Sequence, residues 1–201
     1  MEDIVADVRK LRTKAIAHSS ANESKRAEET FLQAIHKAKH HLGPHHRATV
    51  LAYADLGYFY SREPSNRLQS ELYYRLALSE AERVYGYRQK PTLNILKGLI
   101  DVLWGYNNNE SSVGLLRRLL EGRMKMLGTD HEDTIASMRN LAVAIHRGHR
   151  PEAGRLFRMQ YDILQELKGR FHPSSLEAAV ELAIFQYGRY AQMTTHPKND
   201  R

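Results

Sequence analysis

Histidine is the residue type with the widest chemical reach in this chain, which carries 11 histidines and no cysteine. The missing thiols exclude a disulfide scaffold, a thiolate metal site and a cysteine nucleophile. His36 and His40 stand four apart, with His41, His45 and His46 close by. Two histidines at that spacing on a helix can share a metal ion. No Asp, Glu or Cys follows with ordered spacing, so no metal site is expected. His131-Glu132 opens like the zinc motif HExxH, but position 135 is Ile, so the second ligand is missing. GxSxG, GxxxxGK[ST] and GxGxxG are absent. The carboxylate pairs Glu28/Glu29 and Glu132/Asp133 are adjacent in sequence and point in different directions on a helix. They suit the positive N-terminal ends of helices better than shared acid–base chemistry. The expectation is no catalytic residue, no metal, no cofactor and no enzyme activity.

The elements that position side chains follow from composition and periodicity. The 201 residues are 42% hydrophobic and 26% charged, near globular averages. No apolar run approaches the ~18–20 residues of a membrane span. MEDIVADVRKLRTK has no apolar h-region of a signal peptide. An intracellular, cytoplasmic protein is expected, with the nucleus left open and no membrane partner. The net charge of +7 is spread along the chain. Residues 1–50 hold nine basic and six acidic groups, and each later quarter differs by only one or two. A nucleic-acid reader concentrates its basic groups, so nucleic acid is not the expected partner.

An internal repeat dominates the chain. Glycines fall at Gly43, Gly86, Gly128 and Gly169, spaced by 43, 42 and 41. Three residues later come His46, Gln89, His131 and His172; three further on, Thr49, Thr92, Thr134 and Ser175. Seven beyond those stand Leu56, Leu99, Leu141 and Leu182. Four columns in one register mark a repeat architecture. Each period reads as two helices. In the third, Met138, Leu141, Ala142 and Ile145 form one apolar face, and GHRPE (148–152) breaks the helix. The second helix carries Leu156, Met159, Tyr161, Ile163, Leu164 and Leu167 before Gly169 closes it. Helix pairs are expected at about 2–42, 47–85, 91–127 and 131–168, then a lone helix at 173–190. Their turns are HSSANES (18–24), REPSN (62–66) and NNNE (107–110). The domain reading is a single all-α repeat domain over 1–190 with a flexible tail, 191–201. The His46 column points to packing or capping. The tyrosines at 53, 58, 60, 73, 74, 85 and 87, with Phe59, are expected to pack between helices, and Trp104 in the core.

Leu127-Gly128-Thr129-Asp130-His131-Glu132-Asp133-Thr134, then Arg139-Asn140-Leu141-Ala142 and Pro151-Glu152-Ala153 with Leu156, resemble one tetratricopeptide-type (TPR) repeat of the kinesin light chain class. Leu42-Gly43-Pro44-His45-His46 is similar to the start of the same 42-residue unit. The resemblance covers roughly 25–190, and Tyr85-Gly86-Tyr87-Arg88-Gln89 departs from it. It implies a right-handed helical-repeat solenoid whose first helices line a concave groove and whose second helices form the outer wall.

By helical phase, the groove positions are Leu51, Ala54, Asp55 and Tyr58; Asn94, Lys97, Gly98 and Asp101; Ala136, Arg139, Asn140 and Val143; Glu177, Val180, Glu181 and Ile184. Only Asn140 matches the family's asparagine column; Asp55, Gly98 and Glu181 do not. The peptide-binding candidates are Tyr58, Asn94, Lys97, Asp101, Arg139 and Asn140. The functional expectation is a protein-interaction scaffold holding a peptide or helix of a partner protein, without catalysis. The alternatives are a self-assembling module, through the apolar terminal helix 173–190 with Leu182, Ala183, Ile184 and Phe185, or a repeat fragment of a larger signalling protein.

Overall fold

The computed structural model describes the backbone at 2–104, 109–146 and 148–195, and the side chains there except at 109–111 and 189–195. Among these residues there are nine α-helices and no strand. They are α1 (Glu2–Ser20), α2 (Ser24–Leu42), α3 (Arg47–Ser61), α4 (Arg67–Val84), α5 (Lys90–Trp104), α6 (Asn109–Leu127), α7 (Glu132–Ile145), α8 (Arg150–Lys168) and α9 (Pro173–Thr195), with a 3-10 turn at Pro64–Asn66. Helices stand at each of the expected places, with small changes of boundary. Two residues of the expected NNNE turn, Asn109 and Glu110, already belong to α6; 107 and 108 lie outside the described residues, as does Tyr106. α9 continues to Thr195, so 191–195 is helical where a tail was expected, and 196–201 lie outside the description.

The repeat columns build one joint, used at each passage from a second helix to the next first helix. Gly43, Gly86, Gly128 and Gly169 all have φ between 85° and 93°. Only glycine adopts that region without strain. Each glycine N–H donates to the carbonyl four residues back: Lys39, Glu82, Met124 and Gln165. This satisfies a carbonyl that the helix end would leave bare. His46, His131 and His172 then stand before their helices, and each Nδ1 accepts a backbone N–H two residues on, from Ala48, Asp133 and Ser174. The histidine column is therefore a capping column. The Thr column closes the joint from inside. Thr49 donates to the Gly43 carbonyl at 2.7 Å and Thr92 to the Gly86 carbonyl at 2.8 Å. Ser175 donates to the Leu164 carbonyl at 3.0 Å. Asn22, at φ 59°, turns the chain between α1 and α2 without a glycine.

The chain forms two compact units, Met1–Asn108 and Asn109–Arg201. In the first, α1 pairs with α2, α3 with α4, and α4 with α5, while first helix meets first helix at α1–α3 and α3–α5. Val50, Leu56, Leu93, Leu96, Leu99 and Leu103 are fully or almost fully buried there. In the second unit α6, α7, α8 and α9 pack in chain order around Leu116, Leu119, Met138, Leu141, Ala142 and Ile145. The expected apolar face of α7 is thus buried. On α8 the buried row is Ala153, Leu156, Phe157, Gln160 and Leu164, whereas Met159 and Leu167 are exposed. Those two lie off the 3.6-residue row that faces the neighbours. Tyr53, Tyr60 and Tyr74 are buried, as interhelix packing requires, but Tyr58 and Tyr87 point outward. Trp104 ends its helix half-buried, not in the core.

Candidate functional site

In each unit an ion pair joins two first helices, at equivalent places in the repeat. Arg12 Nε of α1 donates to Asp55 Oδ2 of α3 at 2.6 Å. In the second unit Arg139 Nε of α7 donates to Glu181 Oε1 of α9, also at 2.6 Å. Arg12 and Arg139 occupy the same repeat register, and so do Asp55 and Glu181. One arginine–carboxylate rung therefore recurs, tying a first helix to the next. Such pairing is charge-assisted and directional. It uses Arg139, a sequence candidate, inside the fold, and fills the asparagine column at Asp55 and Glu181 with bound acids. Asn140 beside it is half-buried.

Between α3 and α5 the rung is missing, because its two positions hold Ala54 and Gly98. Glycine at 98 leaves room for a ring: a Cβ there would lie 2.5 Å from Cε1 of Tyr74. The Tyr74 ring, from α4, fills the space where that side chain would stand. It also passes Gly57, where a Cβ would meet it at 3.2 Å. Small residues in the rung and an inserted ring beneath leave a cleft of about 500 Å³. Tyr58, Ser61, Glu63, Arg67, Asp101 and Val102 line it, and Tyr74 forms its floor.

The floor is chemically specific. Burial first, then the charges of Asp101, Tyr58 and Asp55, push the Tyr74 phenol up to about 12, while a hydrogen bond with Ser61 works the other way. The phenol is thus neutral at physiological pH and able to donate or accept. Tyr58 lines the cleft and is 62% exposed, a large aromatic residue left in water. Lys97 Nζ reaches Asp101 Oδ2 at 2.5 Å one turn away, and both remain exposed. Asn94 is exposed on the same helix. The structure therefore brings Tyr58 and Asp101 into one cleft with Lys97 bound to its rim, and places Asn94 on that face one turn earlier. Arg139 and Asn140 belong to the second unit. Sequence reasoning missed Tyr74 and Ser61. The signal available was two small residues, Ala54 in the register of Arg139 and Gly98 in the register of Asp55 and Glu181.

The second unit has its own cleft, of about 400 Å³, lined by Val143, His146, Phe157, Glu181, Ile184 and Phe185. Phe157 and Phe185 meet there with ring centroids 5.4 Å apart. On α9, Leu176, Val180, Ile184 and Tyr187 are exposed, while Ala178 and Leu182 are buried against the unit. Tyr53 and Tyr60 of α3 both pack on Tyr73 of α4. The same register positions on α9 are Ala179 and Gln186, so that face is not furnished with rings.

The sequence-level metal and catalytic motifs find other uses. His36 and His40 stack at 6.0 Å, and His40 meets His41 edge-on at 4.6 Å. His45 pairs with Glu80 at 2.5 Å. Among the described residues no group of three or more His, Asp or Glu side chains could hold a metal ion. Glu28 accepts the Tyr60 hydroxyl at 2.5 Å, and Glu132 binds Lys168 at 2.7 Å. No helix among the described residues is long and apolar enough to cross a membrane.

No family model and no curated protein matches the chain. Solved structures do. A singly substituted form of nearly identical TPR-like repeats, from a Podosopora anserina protein described as a kinesin light chain, superposes with a TM-score of 0.77 at 19% identity, covering 97% of this chain and 91% of that one. The form without that substitution gives 0.76 at 19%, over 95% and 90%. BtubC (BKLC) from P. vanneervenii gives 0.66 at 17%, over 98% and 85%. The fold is therefore that of the TPR-like helical-repeat proteins.

Proposed function

We propose that this protein is a cytoplasmic interaction module whose first-helix face holds a peptide or helix of a partner protein, and that it catalyses no reaction. In this reading residues 1–190 act as one repeat domain. The observation that carries it is the cleft at the missing rung. An exposed tyrosine, a carboxylate and a buried phenol surround a space large enough for a side chain or two, with backbone-binding groups nearby on α5. Pockets of this size, with a few fixed polar groups, are the usual form of a binding site. Tyr58 and Asp101 anchor the ligand, and Asn94 and Lys97 hydrogen-bond its backbone or acidic groups; in the second unit, taken by itself, Asn140 is the corresponding candidate. Arg139 shapes that part through Glu181.

The test is affinity capture from lysate of the source cells with three baits: wild type, the pair Tyr58→Ala/Asp101→Asn, and Lys125→Ala on α6. A partner kept by wild type and Lys125→Ala but lost by the pair is the expected result. A partner retained equally by all three would sink the assignment. Self-assembly through 173–190 is the alternative reading, resting on the exposed Leu176, Val180 and Ile184.

A further inference from the structure

The second helices offer a contrast between repeats that the first-helix site does not use. Leu68, Leu72 and Leu76 of α4 are 74%, 54% and 40% exposed. They stand four apart and so form one stripe along the helix. The equivalent positions, counted back from each repeat glycine, are Lys25, Glu29 and Gln33 in α2. They are Glu110, Gly114 and Arg118 in α6, and Pro151, Arg155 and Met159 in α8. Three leucines replace polar, small or mixed residues in one repeat only. Single exposed leucines are ordinary, whereas a continuous apolar stripe is what a partner covers.

We propose that α4 is a self-association surface, whose occupant is a second copy of this chain. The stripe is symmetric about Leu72. Two copies of α4 laid antiparallel on a two-fold axis through Leu72 set Leu68 of each against Leu76 of the other. A two-fold interface requires just such self-complementarity. The charges agree. α4 carries Arg67, Arg75 and Arg83 against Glu71, Glu80 and Glu82, so it is neutral in a chain of net +7. The other second helices carry an excess of positive charge. Like-charge repulsion between copies is therefore smallest on this wall. Glu71 and Arg75, bonded to each other at 2.8 Å in one copy, flank the axis with opposite signs. In the antiparallel pair each Arg75 comes beside Glu71 of the second copy. Three partly exposed leucines supply far less than the ~800 Å² per partner of a standard interface. The dimer is consequently weak and reversible.

Sedimentation equilibrium of the full chain from about 10 μM to about 1 mM reads this directly. The expected result is a weight-average mass rising from 23.2 kDa toward twice that value. Leu72→Glu should hold the mass at the monomer value, and Leu72→Ala, which adds no charge, should weaken association at least fivefold. Circular dichroism identical to wild type verifies that both variants fold. Ile184→Glu, on α9, should leave the dimer intact. A wild type that stays at 23.2 kDa up to about 1 mM overturns the proposal, and so does a dimer that survives Leu72→Glu. A dimer abolished by Ile184→Glu instead would assign association to α9.

Discussion

Two glycines inside helices show how a residue's effect depends on what a Cβ would meet. At Gly98 it would stand 2.5–2.7 Å from three atoms of the Tyr74 ring. At Gly114 it would meet nothing within 4 Å among the described residues. Replacing glycine by alanine in a helix gains roughly 0.5–1 kcal/mol of backbone entropy in both cases. At Gly98 the ring must move, and overpacking costs about 1–3 kcal/mol. Gly114→Ala should therefore raise stability by about 0.5–1 kcal/mol, and Gly98→Ala should lower it by about 1–2 kcal/mol. Urea unfolding of the two variants measures both signs. A stabilised Gly98→Ala would mean that Tyr74 does not occupy the missing rung. The same pair of sites separates what sequence can reveal from what it cannot. The departure of Gly98 from the asparagine column is visible in the letters. Its cause is a ring 24 residues earlier on another helix, and no local pattern encodes that approach. Arg139 is similar: its phase places it on the shared face, but its partner Glu181 lies 42 residues away.

At the scale of the helix joint, the buried hydroxyl column makes a sharper statement. Thr92 and Thr134 are both fully buried in equivalent positions. Thr92 Oγ1 donates to the Gly86 carbonyl and lies 3.3 Å from that of Ala81. Among the described residues Thr134 Oγ1 has no hydrogen-bond partner. Removing a satisfied buried hydroxyl strands its acceptor and costs about 1–2 kcal/mol, whereas removing an unsatisfied one costs little. Thr92→Val should thus destabilise by about 1–2 kcal/mol and Thr134→Val should be neutral or stabilising. Equal losses in chemical denaturation would refute the distinction. In the third repeat the neighbouring Arg123 has moved into the joint. Its Nη1 donates to the Asp133 carbonyl at 2.9 Å and to Ser137 Oγ at 2.7 Å. The elements themselves were legible, because the glycine, histidine and threonine columns each do one local thing. They supply a positive φ at all four joints, a histidine cap at three and a hydroxyl bond at three. Periodicity failed only where it had no column to follow, as on α8, where Met159 and Leu167 share the apolar composition but not the buried row.

For the whole molecule, stability should follow the carboxylates that bridge helices. A hydrogen bond from Lys37 holds the Asp7 carboxyl below its usual range, with the Lys37 charge adding to it. Lys168 does the same for Glu132, and Arg117 for Glu152. A carboxylate with a depressed value in the folded state stabilises the fold above its unfolded value of about 4. That contribution is lost as pH falls through the folded value. The contribution of these carboxylates to the thermal midpoint should therefore be full above about pH 5 and decline below about 4, and added salt should flatten the decline. A midpoint that rises on acidification would contradict this sign. These pairs are exposed, so each contributes little by itself; their joint effect is what the titration reads.

The glycine joint also has a consequence for how such a chain changes over generations. Each joint closes within a few residues, from the glycine to the buried Thr or Ser, and the glycine's backbone bond recurs at every joint. A genetic crossover between the codons for Gly43 and Gly86, or for Gly128 and Gly169, rejoins a helix end of one kind to a helix start of the same kind. Duplication or loss of one such cassette therefore leaves no new junction to be invented. Length is the inexpensive variable in this architecture, while the exceptions written into single cassettes — the glycine over Tyr74 and the leucines of α4 — are what make one copy distinguishable from another.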